Sequence, residues 1–396
     1  MRVALAVLVA IVAIVASACN GADTQVAADG GAPDGAAPDA SGPPPARVDD
    51  LLEPLHASSG VPGMAALVLR GGAVIAEGAV GTRKVGDPAP VTTDDAWYLG
   101  TAGEAITATL AALVVEDGKL AWSSTLGAVL ADLPMHASYK DVSLEDLLTH
   151  RAGAPAKLPD AIALALGQGP ATVAAHVRRD EAVRALLAAG PATPPRADVL
   201  RSDAGYLIAA AMLERAAGST WEVMLRARVT DPLGMTGCRY DALPSSPVVA
   251  EPWGHSRNGG GVLEAVAPGS AGEPPPAFGP AGRLRCPLRD WAKLCVMHLA
   301  AERGERTALL GPASFAKLHA PVRTTYAMGW NAVFQTWAGS GRALTHASSN
   351  PLYSAVVWLA PDKNLTFLVV TNEADDVSLV TVDRVVGELV GRFASE

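Results

Sequence analysis

Residues 97–120 read WYLGTAGEAITATLAALVVEDGKL. From Gly103 to Glu116 the segment is rich in Ala, Leu and Ile and predicts a strong helix, closed by Asp117-Gly118. Just ahead of it, Thr101-Ala102-Gly103-Glu104 matches a capping box. In that arrangement the Thr hydroxyl accepts from the backbone N–H three residues on, and the Glu reaches back to the cap's own N–H. On that reading Thr101 and Glu104 merely start the helix.

Upstream, Val48–His56 reads as a short amphipathic helix. Met64–Gly81 reads as a hairpin, because AALVLR and AVIAEGAV flank Gly71-Gly72, a pair that accepts the positive φ of a tight turn. Downstream come helices at Ser143–His150, Ala161–Leu166, Asp180–Ala189, Gly205–Ala217 and Trp221–Val229. Asn258–Gly282 is Gly/Pro-rich and predicts a long loop, followed by a helix at Leu288–Ala301. Ser354–Leu359 and Leu365–Thr371 predict a second hairpin across Pro361-Asp362-Lys363-Asn364, and Ser378–Phe393 a terminal helix. Strands at both ends around a helical middle predict an α+β fold. Its antiparallel sheet draws on N- and C-terminal strands flanked by helices, with a mainly helical lobe inserted at roughly residues 101–300. The cleft between the lobes is the default site.

Of 396 residues 49% are hydrophobic and 18% charged, enough apolar material for a large core, while aromatics at 5% leave that core mostly Ala, Val and Leu. The net charge of −9 argues against nucleic acid as a partner. The cysteines are Cys19, Cys238, Cys286 and Cys295, with no CxxC pair to suggest zinc or a thioredoxin motif. The last three read as small core fillers, among which at most one bridge can form, its pairing left open.

The N-terminus combines Arg2, an apolar run Val3–Ala18 and small residues before Cys19. This predicts a signal peptide over residues 1–18. Ala16-Ser17-Ala18-Cys19 resembles a bacterial lipobox, which implies lipidation at Cys19, and Asn20 in place of Asp points towards the outer membrane. Residues 19–47 (Ala, Gly, Asp and Pro) then form a lipidated flexible tether, and residues 48–396 the folded domain.

Several segments together resemble the serine β-lactamase and penicillin-binding-protein-like superfamily, nearest the class C β-lactamase, esterase and D-aminopeptidase branch. They are residues 97–108, LVVEDGKL at 113–120, LEDLLTHRAG at 144–153, Arg201-Ser202-Asp203-Ala204-Gly205-Tyr206, DPLGMT at 231–236, Ala327-Met328-Gly329-Trp330 and VVTNE at 369–373. The resemblance implies a β-lactamase-like fold from about residue 48 to the end, and acyl transfer through a serine. The family uses three motifs: SxxK for nucleophile and base, YxN, and KTG or HxG on a strand edge.

All three are altered here. The Ser and Lys positions are Thr101 and Glu104, the Tyr and Asn positions are Arg201 and Asp203, and the third motif reads His346-Ala347-Ser348. A carboxylate of ordinary pKa is a poor base for a hydroxyl, and a guanidinium cannot act as the acid that a phenol can. The reversal of charge at Glu104 and Arg201 predicts a salt bridge across the former active site, with Asp203 as second acceptor. His346 is the retained motif residue, read equally as a ligand-orienting group or a satisfied strand histidine. His150 reads as structural.

Other candidates are weaker. Ser314-Phe315-Ala316-Lys317 is a literal SxxK on a packing helix, and Gly254-His255-Ser256-Arg257-Asn258 resembles a hydrolase elbow without its last Gly. The run from His176 to Glu181 reads as a solvated charged face. No histidine spacing calls for a metal, and nothing calls for a cofactor. The expectation is therefore a lipid-anchored protein of the bacterial envelope with a degenerate site, which binds a peptidoglycan-related or other small acyl ligand rather than hydrolysing it. The alternatives are an active esterase, amidase or peptidase with Thr101 as nucleophile, and a purely structural module.

Overall fold

The computed structural model describes residues 43–167, 173–240, 248–270 and 273–395; the signal segment, Cys19 and most of the tether lie outside these residues. Its strands are β1 (Ala46–Arg47), β2 (Gly63–Arg70), β3 (Ala73–Gly81), β4 (Ala96–Tyr98), β5 (Gly254–Arg257), β6 (Leu263–Val266), β7 (Arg285–Pro287), β8 (Asn331–Phe334), β9 (Arg342–Asn350), β10 (Tyr353–Ala360) and β11 (Leu365–Thr371). The longer helices are α1 (Asp49–Ser59), α2 (Glu104–Glu116), α3 (Ala175–Ala189), α4 (Asp203–Ala217), α5 (Leu288–Glu302) and α6 (Asp376–Phe393).

One sheet runs in the order β1-β3-β2-β11-β10-β9-β8. β11 joins the two ends of the chain, pairing antiparallel with β2 on one side and β10 on the other. Because side chains alternate along a strand, Met64, Ala66 and Val68 face one layer and Ala65, Leu67 and Leu69 the other. The first layer is α1 and α6, through Leu52, Leu55, Val382, Val385 and Leu389. The second is the helical lobe, centred on α2 and α4. With both faces covered, β10 and β11 are buried throughout, as their unbroken apolar runs imply.

The β2–β3 turn is made by Gly71 and Gly72 at φ 59° and 82°, as their sequence predicts. Elsewhere the structure differs from what the sequence predicts. Asn258–Gly282 is not one loop: Leu263–Val266 pairs with Gly254–Arg257 as a hairpin, and Gly279–Gly282 is helical. Ala46–Arg47, at the end of the stretch read as tether, pairs parallel with Ala76 and Glu77 in the sheet. Arg179, in the run read as a solvated face, is fully buried; its guanidinium binds Glu214 at 2.5 Å and Glu222 at 3.0 Å. Two carboxylates on neighbouring elements satisfy a charge that could not otherwise leave water. The one bridge left open is Cys238–Cys286, with Cys286 inside the core and Cys238 packed against it, and Cys295 is a buried free thiol. Among the described residues no helix is long and apolar enough to cross a membrane, and no cluster of His, Cys, Asp and Glu could hold a metal.

Candidate active site

Thr101 lies in a 3-10 turn, Gly100–Gly103, that leads into α2. The capping box does not form. The turn begins at Gly100, with φ 53°, so Thr101 is already inside helical structure and neither side chain caps the helix. A Cβ at Gly100 would sit 3.1 Å from Asn350 N and Ser348 Oγ, so the missing side chain lets this turn press on β9. Ser348 ties the two together by donating to Leu99 O at 2.6 Å. β8 covers β9 only as far as Thr345. Strand alternation puts His346 on the same face as Leu344 and Ser348, towards the turn.

Thr101 Oγ1 lies 3.1 Å from His346 Nε2, and His346 Nδ1 lies 2.7 Å from Gly329 O. A carbonyl can only accept, so Nδ1 carries the proton and Nε2 accepts from the Thr101 hydroxyl. This is a hydroxyl, an imidazole base and an orienting acceptor in line. Burial pushes the His346 pKa down to about 4, helped by the charge of Arg201 and opposed by Glu104, so the ring is neutral at pH 7.

Among the described residues Glu104 makes no hydrogen bond to Thr101; its carboxylate is engaged elsewhere. It is buried, and its Oε2 accepts from Tyr326 Oη at 2.8 Å and lies 3.4 Å from His150 Nε2. Burial opposes its ionisation, but His150, His346 and Arg201 outweigh that and hold its pKa below the usual value. Tyr326 Oη also receives the Gly329 N–H at 3.1 Å and lies 3.0 Å from Tyr206 Oη. Burial and the Glu104 charge raise both phenols well above their ordinary pKa. His150 Nδ1 accepts from Ser202 N, and Ser202 caps α4 through Gly205 N.

The expected Glu104–Arg201 salt bridge is not formed. Tyr326 serves both groups instead: its hydroxyl binds Glu104 and its ring face receives the Arg201 guanidinium, centred 5.2 Å away. Asp203, the first residue of α4, makes no ion pair with Arg201 either. Desolvation and the Glu104 charge push its pKa up to about 7, against the pull of Arg201. The structure thus brings Thr101 to His346, ties Ser348 to Leu99, and gathers Glu104 and Arg201 on Tyr326, with Asp203 in the fields of those two. Tyr326 was missed in the sequence, although it immediately precedes the motif Ala327–Trp330.

The other candidates are structural. Ser314 Oγ donates to Glu116 and Lys317 Nζ to Glu145, so this SxxK pins its helix to two others. His255 is buried between Val85 N and Asn372 O.

A sheet with a helical lobe, and a hydroxyl at the start of the lobe's central helix facing a strand imidazole, define the serine-hydrolase fold of the β-lactamase and penicillin-binding-protein type. The chain belongs to the beta-lactamase family, whose model matches residues 48–391. The unguisins hydrolase ungD of Aspergillus violaceofuscus is 27% identical over 183 residues, covering 44% of this chain and 31% of that protein. Its counterpart ungD' of Aspergillus campestris is 25% identical over 265 residues, covering 61% and 46%. The chain thus spans less than half the length of these curated relatives. In structure it resembles the octameric penicillin-binding protein homologue of Pyrococcus abyssi (TM-score 0.69, 19% identity, 88% of this chain and 77% of that one). It also resembles the D-amino acid amidase of Ochrobactrum anthropi SV3 (TM-score 0.68, 18% identity, 87% and 98%).

Proposed function

We propose that this protein is an acyl-transfer hydrolase of the family in which a Thr101–His346 pair replaces the usual Ser–Lys pair. The observation that carries this is the contact of Thr101 Oγ1 with His346 Nε2, with the ring fixed by Gly329 O. In the first half-reaction Oγ1 attacks the acyl carbon and its proton passes to Nε2. The tetrahedral adduct collapses as the imidazolium returns that proton to the leaving alcohol or amine. In the second, water attacks the acyl-threonine ester, again through His346. Burial makes the His346 ring a weak base, so slow turnover is the expected outcome. The relatives' names, hydrolase and amidase, agree with ester or amide substrates.

The test is intact mass spectrometry after incubation with p-nitrophenyl acetate and with a β-lactam. A stoichiometric acyl adduct on Thr101 is expected from the ester, absent in Thr101→Ala and formed on the order of 10²–10⁴ times more slowly in His346→Gln. No adduct from any ester would overturn the proposal.

A second reading, binding without turnover, is favoured by Glu104. The position that should supply the base holds a carboxylate committed to Tyr326 and His150. The proposal extends to location. The signal-like N-terminus and the Cys238–Cys286 disulfide agree with an exported envelope protein lipidated at Cys19, where peptidoglycan-related acyl ligands are at hand. Radiolabelled palmitate should label the wild-type chain and not Cys19→Ser; equal labelling would reject the anchor.

A further inference from the structure

A chain of polar contacts runs from β9 to α2, and the proposed reaction uses none of it. His298 on α5 and His319, at the end of the helix Pro312–Leu318, are both buried. His298 Nε2 lies 3.0 Å from Thr109 Oγ1 on α2, and His298 Nδ1 lies 2.7 Å from His319 Nε2. His319 Nδ1 lies 2.7 Å from Glu302 Oε1, and Arg342 binds both oxygens of that carboxylate. At the other end Thr109 Oγ1 also lies 2.8 Å from Ala105 O. Burial opposes the ionisation of Glu302, but His319 and Arg342 outweigh it and hold its pKa down to about 2.

These contacts cannot all be hydrogen bonds while both rings are neutral. An ionised carboxylate only accepts, so His319 Nδ1 carries that ring's proton and its Nε2 accepts. His298 must then donate from Nδ1, which leaves its Nε2 as an acceptor for the Thr109 hydroxyl. The hydroxyl has one proton, so Ala105 O goes without it. A third proton on the pair reverses this. His298 Nε2 then donates to Thr109, and the hydroxyl turns to Ala105 O. Every contact is satisfied in that state with no heavy atom moved.

We infer that His298 and His319 form a buried acid switch, which takes up one shared proton and passes the change to α2 by turning the Thr109 hydroxyl from His298 to Ala105 O. The groups facing the pair are Thr109 from α2, Glu302 from α5, Phe315 from the helix before His319, Trp330, and Arg342 from β9. Of these, Glu302 and Arg342 carry charge. Burial lowers the pKa of both rings, well below the ordinary value at His298, and Glu302 opposes this at His319. The pair is therefore neutral at pH 7 and fills in acid. One carboxylate, already shared with Arg342, does not support two adjoining imidazolium ions, so a second proton is excluded. The switch adjoins the candidate active site at two points. Ala105 follows Glu104 in the chain. Trp330, whose ring centroid is 5.1 Å from that of His298, follows Gly329, the residue that fixes His346. None of this depends on acyl transfer by Thr101.

The experiment is proton–nitrogen correlation NMR of the purified chain, with nitrogen-15 in its histidine and tryptophan side chains, from pH 8 to pH 4. His298→Gln, His319→Gln and Trp330→Phe assign the signals. At pH 8 both rings should carry their proton on Nδ1. On acidification both should shift with one common midpoint below about pH 6.5, for one proton in total, and the Trp330 indole signal should move with them. Glu302→Gln should lower that midpoint by about one pH unit or more, a tenfold weaker hold on the proton. Thr109→Val, which keeps the shape and removes the hydroxyl, should lower it too, because the charged pair loses more hydrogen bonds than the neutral one. A proton on Nε2 of His298 at pH 8, two separate midpoints, two protons taken up, or unfolding before either ring titrates would overturn the switch. A midpoint unchanged in Glu302→Gln or in Thr109→Val would also overturn it, as would a Trp330 signal that stays still. If a variant does not fold, the tautomers and the shared midpoint of the wild type decide.

Discussion

At Gly329, φ is 81° and a Cβ would stand 2.4 Å from the backbone of Ala105. Only glycine lets this segment lie on α2 while its carbonyl fixes His346 and its N–H binds Tyr326. Gly329→Ala combines a left-handed strain of about 1–3 kcal/mol with a backbone clash. A lowered melting temperature and loss of His346 ring order by NMR are expected; an unchanged ring signal would contradict the role. Glu104 is testable through its neighbour. Because its charge helps to raise Asp203, Glu104→Gln should move the Asp203 midpoint down from about 7 towards the ordinary carboxyl range, as read by carbon-13 titration. At this scale the sequence was only half legible. Thr-x-x-Glu fits a helix cap and an inward-facing site equally well. What decides is Gly100, whose positive φ starts the turn one residue early, and Tyr326, distant in sequence, which takes the Glu104 carboxylate.

Among the elements, β9 connects fold to chemistry. Its pairing with β10 is set by the register Val357 to His346, while Ser348 bonds across to the turn that carries Thr101. The β7 segment is held to the turns that follow the helical segment Arg226–Thr230 by Cys238–Cys286, which are 48 residues apart. Opening that bridge with Cys238→Ser should cost about 2–4 kcal/mol. Chemical denaturation with and without reductant would show it, and equal midpoints would mean that the bridge contributes nothing. Arg179→Ala should cost more, about 3–5 kcal/mol, because it leaves Glu214 and Glu222 facing each other in the lobe. The strands buried on both faces, β2, β10 and β11, were legible as apolar runs. β9 was not, because Thr345, His346, Ser348 and Ser349 break its alternation. The pairs β4–β7 and β5–β6 are too short, at three and four residues, to show any period. Arg179 sits among exposed charges, and only the distant Glu214 and Glu222 mark it as internal.

Across the whole molecule, charged groups respond to pH in opposing senses. Burial lowers the pKa of His298, His319 and His346, so their contribution to stability is complete above about pH 6.5 and is lost as the pH falls. Burial and a neighbouring acid raise Asp203 and Glu373 to about 7, so each favours the native state at low pH and disfavours it as the pH rises from about 4 to 7. Glu373→Gln should therefore melt higher than the wild type at pH 8, with the advantage fading by pH 5. A difference independent of pH would refute this account. The position of β1 has a mechanical consequence. Any pull on the N-terminal segment enters the fold at Ala46–Arg47, a two-residue strand whose Arg47 is paired with Asp49 and Glu77. This is the far margin of the sheet, and β3, β2, β11 and β10 stand between it and β9. Under load the molecule should peel first at that margin, giving up a few residues as slack, while the geometry around Thr101 stays unstretched.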